Sequence, residues 1–207
     1  MAYVSDRSEP IQTLAEHILA HAANLPEGQP LGAKGLLHLG ERAAVDQALS
    51  RLVKRGHLLR VERGLYVSPI QSRYGARPPT IESVVEHLSA RGCETVVRSG
   101  ASAANQLGLT TQTAIRHVYL TSGRSRRLKV GKQSVELRHA PPWQLVLPHR
   151  PAGEAVRALA WLGPEQTASA LKALRRRLPP SAFEELASVG ARLPTWLARS
   201  VSLAIHG

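Results

Sequence analysis

The stretch ERAAVDQALSRLVKRGHLLRVERGLYVSP, residues 41–69, decides the fold of the first half of the chain. Its first part carries apolar residues at i, i+3, i+4 and i+7, the spacing of one helical face: Val45, Ala48, Leu49 and Leu52. Gly56 follows where a helix C-terminal cap belongs, and the apolar period then changes. The short runs HLLRV and LYVS, on either side of a charged turn, are typical of paired strands. The stretch therefore predicts an amphipathic helix followed directly by a β-hairpin.

Two more helices are predicted upstream of this stretch. The segment EPIQTLAEHILAHAA, residues 9–23, has one apolar stripe, with Ser8 before it as a candidate N-cap. The Gly-bounded segment LGAKGLLHLG, residues 31–40, predicts a short second helix with leucines in the core. The order helix, short helix, turn, helix, hairpin indicates a winged helix-turn-helix, whose recognition helix, residues 41–55, would lie in the major groove of DNA.

The solvent face of this predicted recognition helix carries side chains suited to DNA. Arginine can pair with guanine, and glutamine with adenine, through two hydrogen bonds each. Cations on the hairpin, the wing of the motif, can meet phosphates. The candidate DNA-binding residues are Arg42, Ala43, Asp46, Gln47, Ser50, Arg51 and Lys54 on the helix, and Arg60 and Arg63 on the wing. A basic hairpin directly behind a basic helix predicts two adjacent contacts with one duplex.

The charge of the whole chain supports a polyanionic partner. The formal net charge is +12 and the isoelectric point is near 11.0. A surplus of this size speeds association with polyanions, of which nucleic acid is the usual one. A second basic zone lies between Glu94 and Glu136, where no acidic residue occurs. Its candidate surface residues are Arg116, Arg124, Arg126, Arg127, Lys129 and Lys132.

The sequence predicts a cytoplasmic protein. No apolar run approaches the roughly 18 residues that a membrane span requires. The residues after Met1 lack the basic start and apolar stretch of a signal peptide. Cys93 is the single cysteine, so no intramolecular disulfide is possible and a reducing compartment fits.

The organisation of the chain predicts two domains of an α+β fold. Residues 1–70 form the winged helix-turn-helix, and residues 71–79, rich in Pro, Gly and Arg, form a connector. Residues 80–207 form a mixed α/β domain that begins with the helix TIESVVEHLSARG and the strand ETVVRSG. A small-residue helix and three further strands follow, and from Ala152 the chain is helical. Ser181 and Glu184 have the spacing of a capping box.

No enzyme motif is complete. His17 and His21 have the spacing of zinc ligands, but HILAH lacks the glutamate of a zinc protease and a third ligand. Ser102 is not in a G-x-S-x-G motif, and Cys93 has no evident histidine partner. Glu136 has no acidic residue near it in sequence, whereas a two-metal nuclease needs clustered carboxylates. The sequence predicts a protein that is not an enzyme and binds no metal or cofactor.

Three blocks of sequence carry a resemblance to a known family. They are AAVDQALSRLVKRGHLLRVERGLYVSP, VVRSGASAANQLGLTTQ and HVYLTSGRSRRLKVG. In this order they resemble the AbiEi family, the antitoxins of bacterial abortive-infection, type IV toxin–antitoxin systems, over roughly residues 10–150. The resemblance implies that the protein represses its own operon through the winged helix. It further implies that the second domain counters a nucleotidyltransferase-like toxin, without needing a stable complex, through the basic surface that follows Arg116.

The partner expected for the first domain is double-stranded operator DNA, bound as inverted repeats by two copies of the chain. Two other readings stay open. The chain could be a transcriptional regulator whose second domain senses a ligand, or an enzyme that acts on nucleic acid. A neighbouring toxin gene would argue against the first, and absence of metal-dependent turnover would exclude a nuclease.

Overall fold

A computed structural model describes residues 13–112 and 116–206 of the chain. The chain divides into two compact units, residues 1–87 and 88–207. Helices and small sheets occur in both units, which confirms the predicted α+β fold class.

The first unit follows the element order predicted from its sequence. Its elements are α1 (Leu14–Ala23), a 3₁₀ helix (Ala33–Leu36), α2 (Arg42–Lys54), the hairpin of β1 (Leu59–Glu62) with β2 (Leu65–Val67), a second hairpin of β3 (Ile70–Ser72) with β4 (Gly75–Arg77), and the start of α3 (Ile81–Gly92). The boundary between the two units falls within α3.

The core of the first unit joins α1, α2 and the first hairpin. The four apolar residues that predicted α2 are all buried. They pack in one cluster with Ile18 and Ala22 of α1 and with Leu36 of the 3₁₀ helix. Tyr66 of β2 is buried in the same cluster, and its backbone exchanges two hydrogen bonds with Leu31. These contacts hold α2 with one face inward and one face in solvent.

The start of α1 differs from the prediction. Thr13 is the N-cap: it has an extended backbone, and its hydroxyl accepts a hydrogen bond from the backbone N–H of Glu16. The Glu16 carboxylate accepts one from the backbone N–H of Thr13, which completes a capping box. The prediction of Ser8 as the cap of this helix was therefore wrong, and Ser8 itself lies outside the described residues.

The predicted connector, residues 71–79, contains most of the second hairpin. Gly75 has a φ of 105°, and the Ser72 hydroxyl donates to the carbonyl of Gly75, so the turn is well formed. Every residue of the hairpin is exposed except the half-buried Ile70. Because no face of this hairpin is buried, its sequence lacks the apolar alternation by which strands are recognised. The unit boundary lies further along the chain, inside α3.

The second unit is built on a four-stranded sheet with the strand order β5-β6-β8-β7. The strands are β5 (Val96–Arg98), β6 (His117–Thr121), β7 (Arg126–Val130) and β8 (Gln133–His139). β6 and β8 are parallel neighbours, while the other two pairs are antiparallel. The helices of this unit are α4 (Gly100–Gln106), α5 (Pro151–Leu162), α6 (Pro164–Arg175), α7 (Pro180–Ser188) and α8 (Thr195–His206).

The C-terminal helices share one apolar core. Leucine, valine and alanine side chains of α5 to α8 form a buried cluster, and α4 packs closely against α5 through small residues, Ala103, Ala104 and Ala158. The capping box predicted for Ser181 and Glu184 is wrong, because α7 begins at Pro180 with Pro179 as its N-cap and no side-chain cap. The fixed φ of proline suits the first helical position and moves the start ahead of Ser181.

Candidate nucleic-acid interface

The exposed face of α2 carries all seven helix residues predicted to contact DNA. Asp46 is half-buried and the other six are exposed, opposite the four buried residues of the same helix. The helix is amphipathic because its apolar residues recur at helical spacing, so its polar side chains are left on the solvent side. The structure thus brings these residues together on one continuous surface.

Two arginines of this face have partners within α2. The Arg42 Nε donates to the Asp46 carboxylate at 2.8 Å, and both side chains are about half exposed. The Arg51 Nε lies 3.5 Å from the Gln47 carbonyl oxygen. An exposed pair one helical turn apart contributes little to stability. These contacts hold the guanidinium groups along the surface of α2 without burying them.

The first hairpin presents the two predicted wing cations. Arg60 and Arg63 are both exposed, and the Arg60 Nε lies 3.4 Å from the Glu62 carbonyl oxygen. Gly64 has a φ of 76°, which allows the tight turn that separates β1 from β2. The first hairpin therefore presents two solvent-facing guanidinium groups beside a tight turn.

The second hairpin adds cationic and aromatic side chains that the sequence analysis did not select. Tyr74 is 86% exposed at its tip, and the Arg73 guanidinium lies 4.8 Å from the centre of the tyrosine ring. Arg77 is instead paired with Glu27 at 3.2 Å. The sequence RYGAR, residues 73–77, could have indicated this surface, because its glycine predicts a turn and its tyrosine lies between two arginines.

The positive charge is divided very unevenly between the two units. Residues 1–87 hold ten of the 27 Lys and Arg and nine of the 15 Asp and Glu, a formal charge of +1. Residues 88–207 hold the other seventeen and six, a formal charge of +11. Binding of a polyanion to the first unit would therefore depend on where its cations lie, whereas the second unit attracts polyanions through its total charge.

Two of the six predicted surface cations of the second unit lie on one face of its sheet. Arg127 and Lys129 are exposed on β7, in register with Glu136 and Ser134 of β8. Arg138 donates to the Glu136 carboxylate at 3.0 Å. This hydrogen bond is the main cause that lowers the pKa of Glu136, with smaller contributions from the charges of Arg138, Arg127 and Arg116. On this face one carboxylate, Glu136, lies among the cations Arg127, Lys129 and Arg138.

Arg126 points to the opposite face of β7. It is half-buried and makes two hydrogen bonds to the Glu94 carboxylate, which also accepts one from the Thr121 hydroxyl at 2.9 Å. The Arg126 guanidinium is the main cause that lowers the pKa of Glu94. Arg126 is thus a structural cation, unlike its neighbour Arg127.

The remaining three predicted cations lie outside the strands. Arg116 precedes β6, Arg124 lies in the loop between β6 and β7, and Lys132 lies in the turn between β7 and β8, and all three are exposed. Of the six residues, two therefore lie on one face of the sheet, two lie in loops, one lies in a turn and one belongs to an internal ion pair.

The described part of the chain contains no group of three or more His, Cys, Asp and Glu side chains close enough to hold a metal ion. The His21 ring lies 5.8 Å from that of His38, centre to centre. Within residues 13–112 and 116–206, none of the helices has the length and apolar character needed to cross a membrane.

Over residues 17–178, which are most of the chain, the sequence matches a family of unknown function, DUF6088. The chain belongs to this family. No curated protein matches the sequence of this DUF6088 member. Its fold is similar to the crystal structure of the RV2827C protein from Mycobacterium tuberculosis, with a TM-score of 0.53 and 16% sequence identity, over 95% of this chain and 77% of that one. At this identity the likeness concerns the fold alone.

Proposed function

We propose that this DUF6088 protein is an antitoxin of a type IV toxin–antitoxin system that acts in the cytoplasm and represses its own operon. The first unit is a winged helix-turn-helix that binds operator DNA, with α2 in the major groove and the first hairpin on the flanking backbone. The second unit counters a nucleotidyltransferase-like toxin. The protein has no catalytic activity of its own in this scheme.

The observation that carries the DNA-binding part is the two-sided character of α2. Four apolar side chains anchor one face in the core, while the other face presents Arg42, Gln47 and Arg51 to solvent. A rigid helix with bidentate donors on its free side is suited to reading base edges in the major groove. The two hairpins add the exposed residues Arg60, Arg63 and Arg73 as phosphate-contacting cations.

The antitoxin part rests on the resemblance of residues 96–131 to the AbiEi family. The charge of the second unit, +11, fits a surface that meets an acidic partner or a nucleic acid. It is tested by expressing the adjacent gene in a bacterial host, alone and with this protein. Growth arrest by the neighbour that the full chain relieves would support the proposal, whereas arrest that the full chain leaves unchanged would refute it.

A gel-shift titration tests the DNA-binding part. The duplex is the region upstream of this protein's own gene, and a scrambled duplex of equal length and composition is the competitor. Binding that survives an excess of scrambled competitor supports an autoregulator. Binding that the scrambled duplex abolishes would mean that only charge attracts DNA, and the operator proposal would fail.

Alanine substitution of Arg42, Gln47 or Arg51 is expected to relax the sequence preference of operator binding. Each bidentate base contact contributes about 1–3 kcal/mol of discrimination, so the preference for the correct base pair should fall roughly tenfold or more. Binding to a set of duplexes with single base-pair changes measures this. Arg55→Ala is the control, since Arg55 is exposed at the C-cap of α2 and is not predicted to meet a base. Unchanged preference in all three variants would contradict base reading by α2.

Alanine at Arg60 or Arg63 is expected to weaken binding to operator and scrambled duplexes alike. A lost phosphate contact removes roughly one released counterion, so the slope of log K against log salt should become shallower by about one unit. Binding isotherms between low and physiological salt give this slope. If neither variant changes it, the wing does not lie on DNA.

A further inference from the structure

The second unit has an open surface pocket where its two parallel strands end. β6 and β8 run side by side in the same direction, so their carboxyl ends meet at one edge of the sheet. The loop after β6 and the last residue of β8 line an open pocket of about 450 Å³, formed by Ser122, Gly123, Arg124, Ser125 and His139. In sheets with parallel strands, the carboxyl ends are the usual place for a ligand.

The loop is held in place by hydrogen bonds to the strands around it. The Ser122 hydroxyl oxygen accepts from the Thr95 N–H at 2.9 Å, and the Ser125 hydroxyl oxygen accepts from the His139 N–H at 2.9 Å. The Gly123 N–H donates to the Thr121 hydroxyl at 3.0 Å. Because both serine oxygens act as acceptors here, their hydroxyl protons are left to donate elsewhere.

The imidazole of His139 is fixed in the same way. Its Nδ1 lies 2.9 Å from the carbonyl oxygen of Gly123, and since a carbonyl only accepts, Nδ1 carries the proton. Among the described residues, Nε2 has no hydrogen-bond partner. The ring orientation is therefore set by the loop that it borders.

The remaining groups of the loop are hydrogen-bond donors. Among the described residues, the backbone N–H groups of Arg124 and Ser125 have no acceptor, and the Arg124 guanidinium has no hydrogen-bond or ion-pair partner. Consecutive free N–H groups beside hydroxyls and an arginine make a set of donors suited to an oxyanion. Arginine in particular matches the geometry of a phosphate.

One carboxylate lies close to this loop. A Cβ atom at position 123 would meet the end of the Glu94 side chain. Arg126 and Thr121 donate three hydrogen bonds to the Glu94 carboxylate, so its charge is compensated. A single compensated carboxylate does not make a cation site, and the uncompensated charge at the pocket is the positive one of Arg124.

We propose that this pocket binds phosphate, either as the phosphate group of a nucleotide or as the inorganic anion. The Ser122 and Ser125 hydroxyls, the two free N–H groups and Arg124 would hold the phosphate oxygens. The pocket lies in the unit that carries a formal charge of +11, which raises the local concentration of such anions. This site goes beyond the proposed function, because operator binding by the first unit does not depend on it.

Isothermal titration calorimetry of the full chain at physiological salt tests the site. The probes are inorganic phosphate, a nucleoside monophosphate, a nucleoside triphosphate and the nucleoside without phosphate. Saturable 1:1 binding of at least one phosphate compound is expected, with none for the nucleoside. Preference for phosphate alone over nucleotides would identify the source as the free anion, and the reverse would identify a nucleotide. No saturable binding of any phosphate probe at millimolar concentration, or equal binding of the nucleoside, would overturn the proposal.

Two matched variants distinguish a specific phosphate site from attraction by net charge alone. Arg124→Gln removes one positive charge from the pocket and is expected to weaken phosphate binding at least tenfold. Arg199→Gln removes the same charge from an exposed position of α8 outside the pocket and should change binding less than twofold. Both residues are exposed, so both variants should fold. An equal loss in the two variants would mean that only the net charge attracts the anion, and the pocket would then be no site.

Discussion

Replacing Arg157 with methionine is expected to stabilise the protein by about 2 kcal/mol. Arg157 lies on α5 and is 2% exposed, yet among the described residues its guanidinium makes one hydrogen bond, at 3.4 Å to the Val146 carbonyl oxygen. Its Nε is buried with no partner among the described residues. Exchanging a poorly paired buried charge for a well-packed apolar side chain is often stabilising.

The electrostatic cost of this residue appears in its pKa. Burial lowers the pKa of Arg157 to about 10, while the charge of Glu154 acts in the opposite direction. A shift of this size from the ordinary arginine value corresponds to about 3 kcal/mol of lost preference for the charged form. Since the folded-state pKa is lower than the unfolded one, the cost is present in full below pH 10. It decreases as the pH rises above 10.

Thermal unfolding of the full chain measures the effect at neutral pH. The unfolding transition of the second unit should rise by roughly 8 °C in Arg157→Met. The control is Arg199→Met, since Arg199 is exposed on α8 and its replacement should change stability by less than about 0.5 kcal/mol. A clear loss of stability in Arg157→Met would show that the guanidinium stabilises the core.

Replacing Gly100 with alanine is expected to destabilise the second unit by about 3 kcal/mol. Gly100 is the first residue of α4, which packs against α5. A Cβ atom there would collide with the backbone carbonyl oxygen of Arg157 and would lie 2.6 Å from the Cβ of Trp161. Neither atom is at the end of a flexible side chain, so the two helices would have to move apart. Overpacking of this kind costs 1–3 kcal/mol or more.

The matched control is Gly190→Ala in the same unit. Nothing lies within 4 Å of a Cβ atom at Gly190, and its φ is negative, so alanine should be neutral or slightly stabilising there. Denaturant unfolding followed by circular dichroism compares both variants with the unmodified chain. Equal stability of the two variants would mean that α4 and α5 are not in close contact at Gly100.

The sequence alone determined the elements whose pattern is local. The apolar residues of α2 recur at i, i+3, i+4 and i+7, and the same four residues are buried in the structure. The first hairpin, α3 and the four strands of the second unit also lie where the sequence predicts them. Such elements can be predicted from sequence because burying one face of a helix or strand makes apolar residues recur at a regular spacing. The face of α2 proposed to bind DNA follows from that period.

Tertiary structure alone decided the features that depend on distant residues. β6 and β8 become parallel neighbours although β7 lies between them in the chain, and this pairing brings His139 to the loop of Ser122 and Ser125. Arg126 and Arg127 are adjacent in sequence, but only Arg126 meets Glu94, a residue 32 positions away. The second hairpin buries no face, so no period marks it. A local pattern records which side of an element is buried, whereas the identity of the groups that meet there depends on long-range packing.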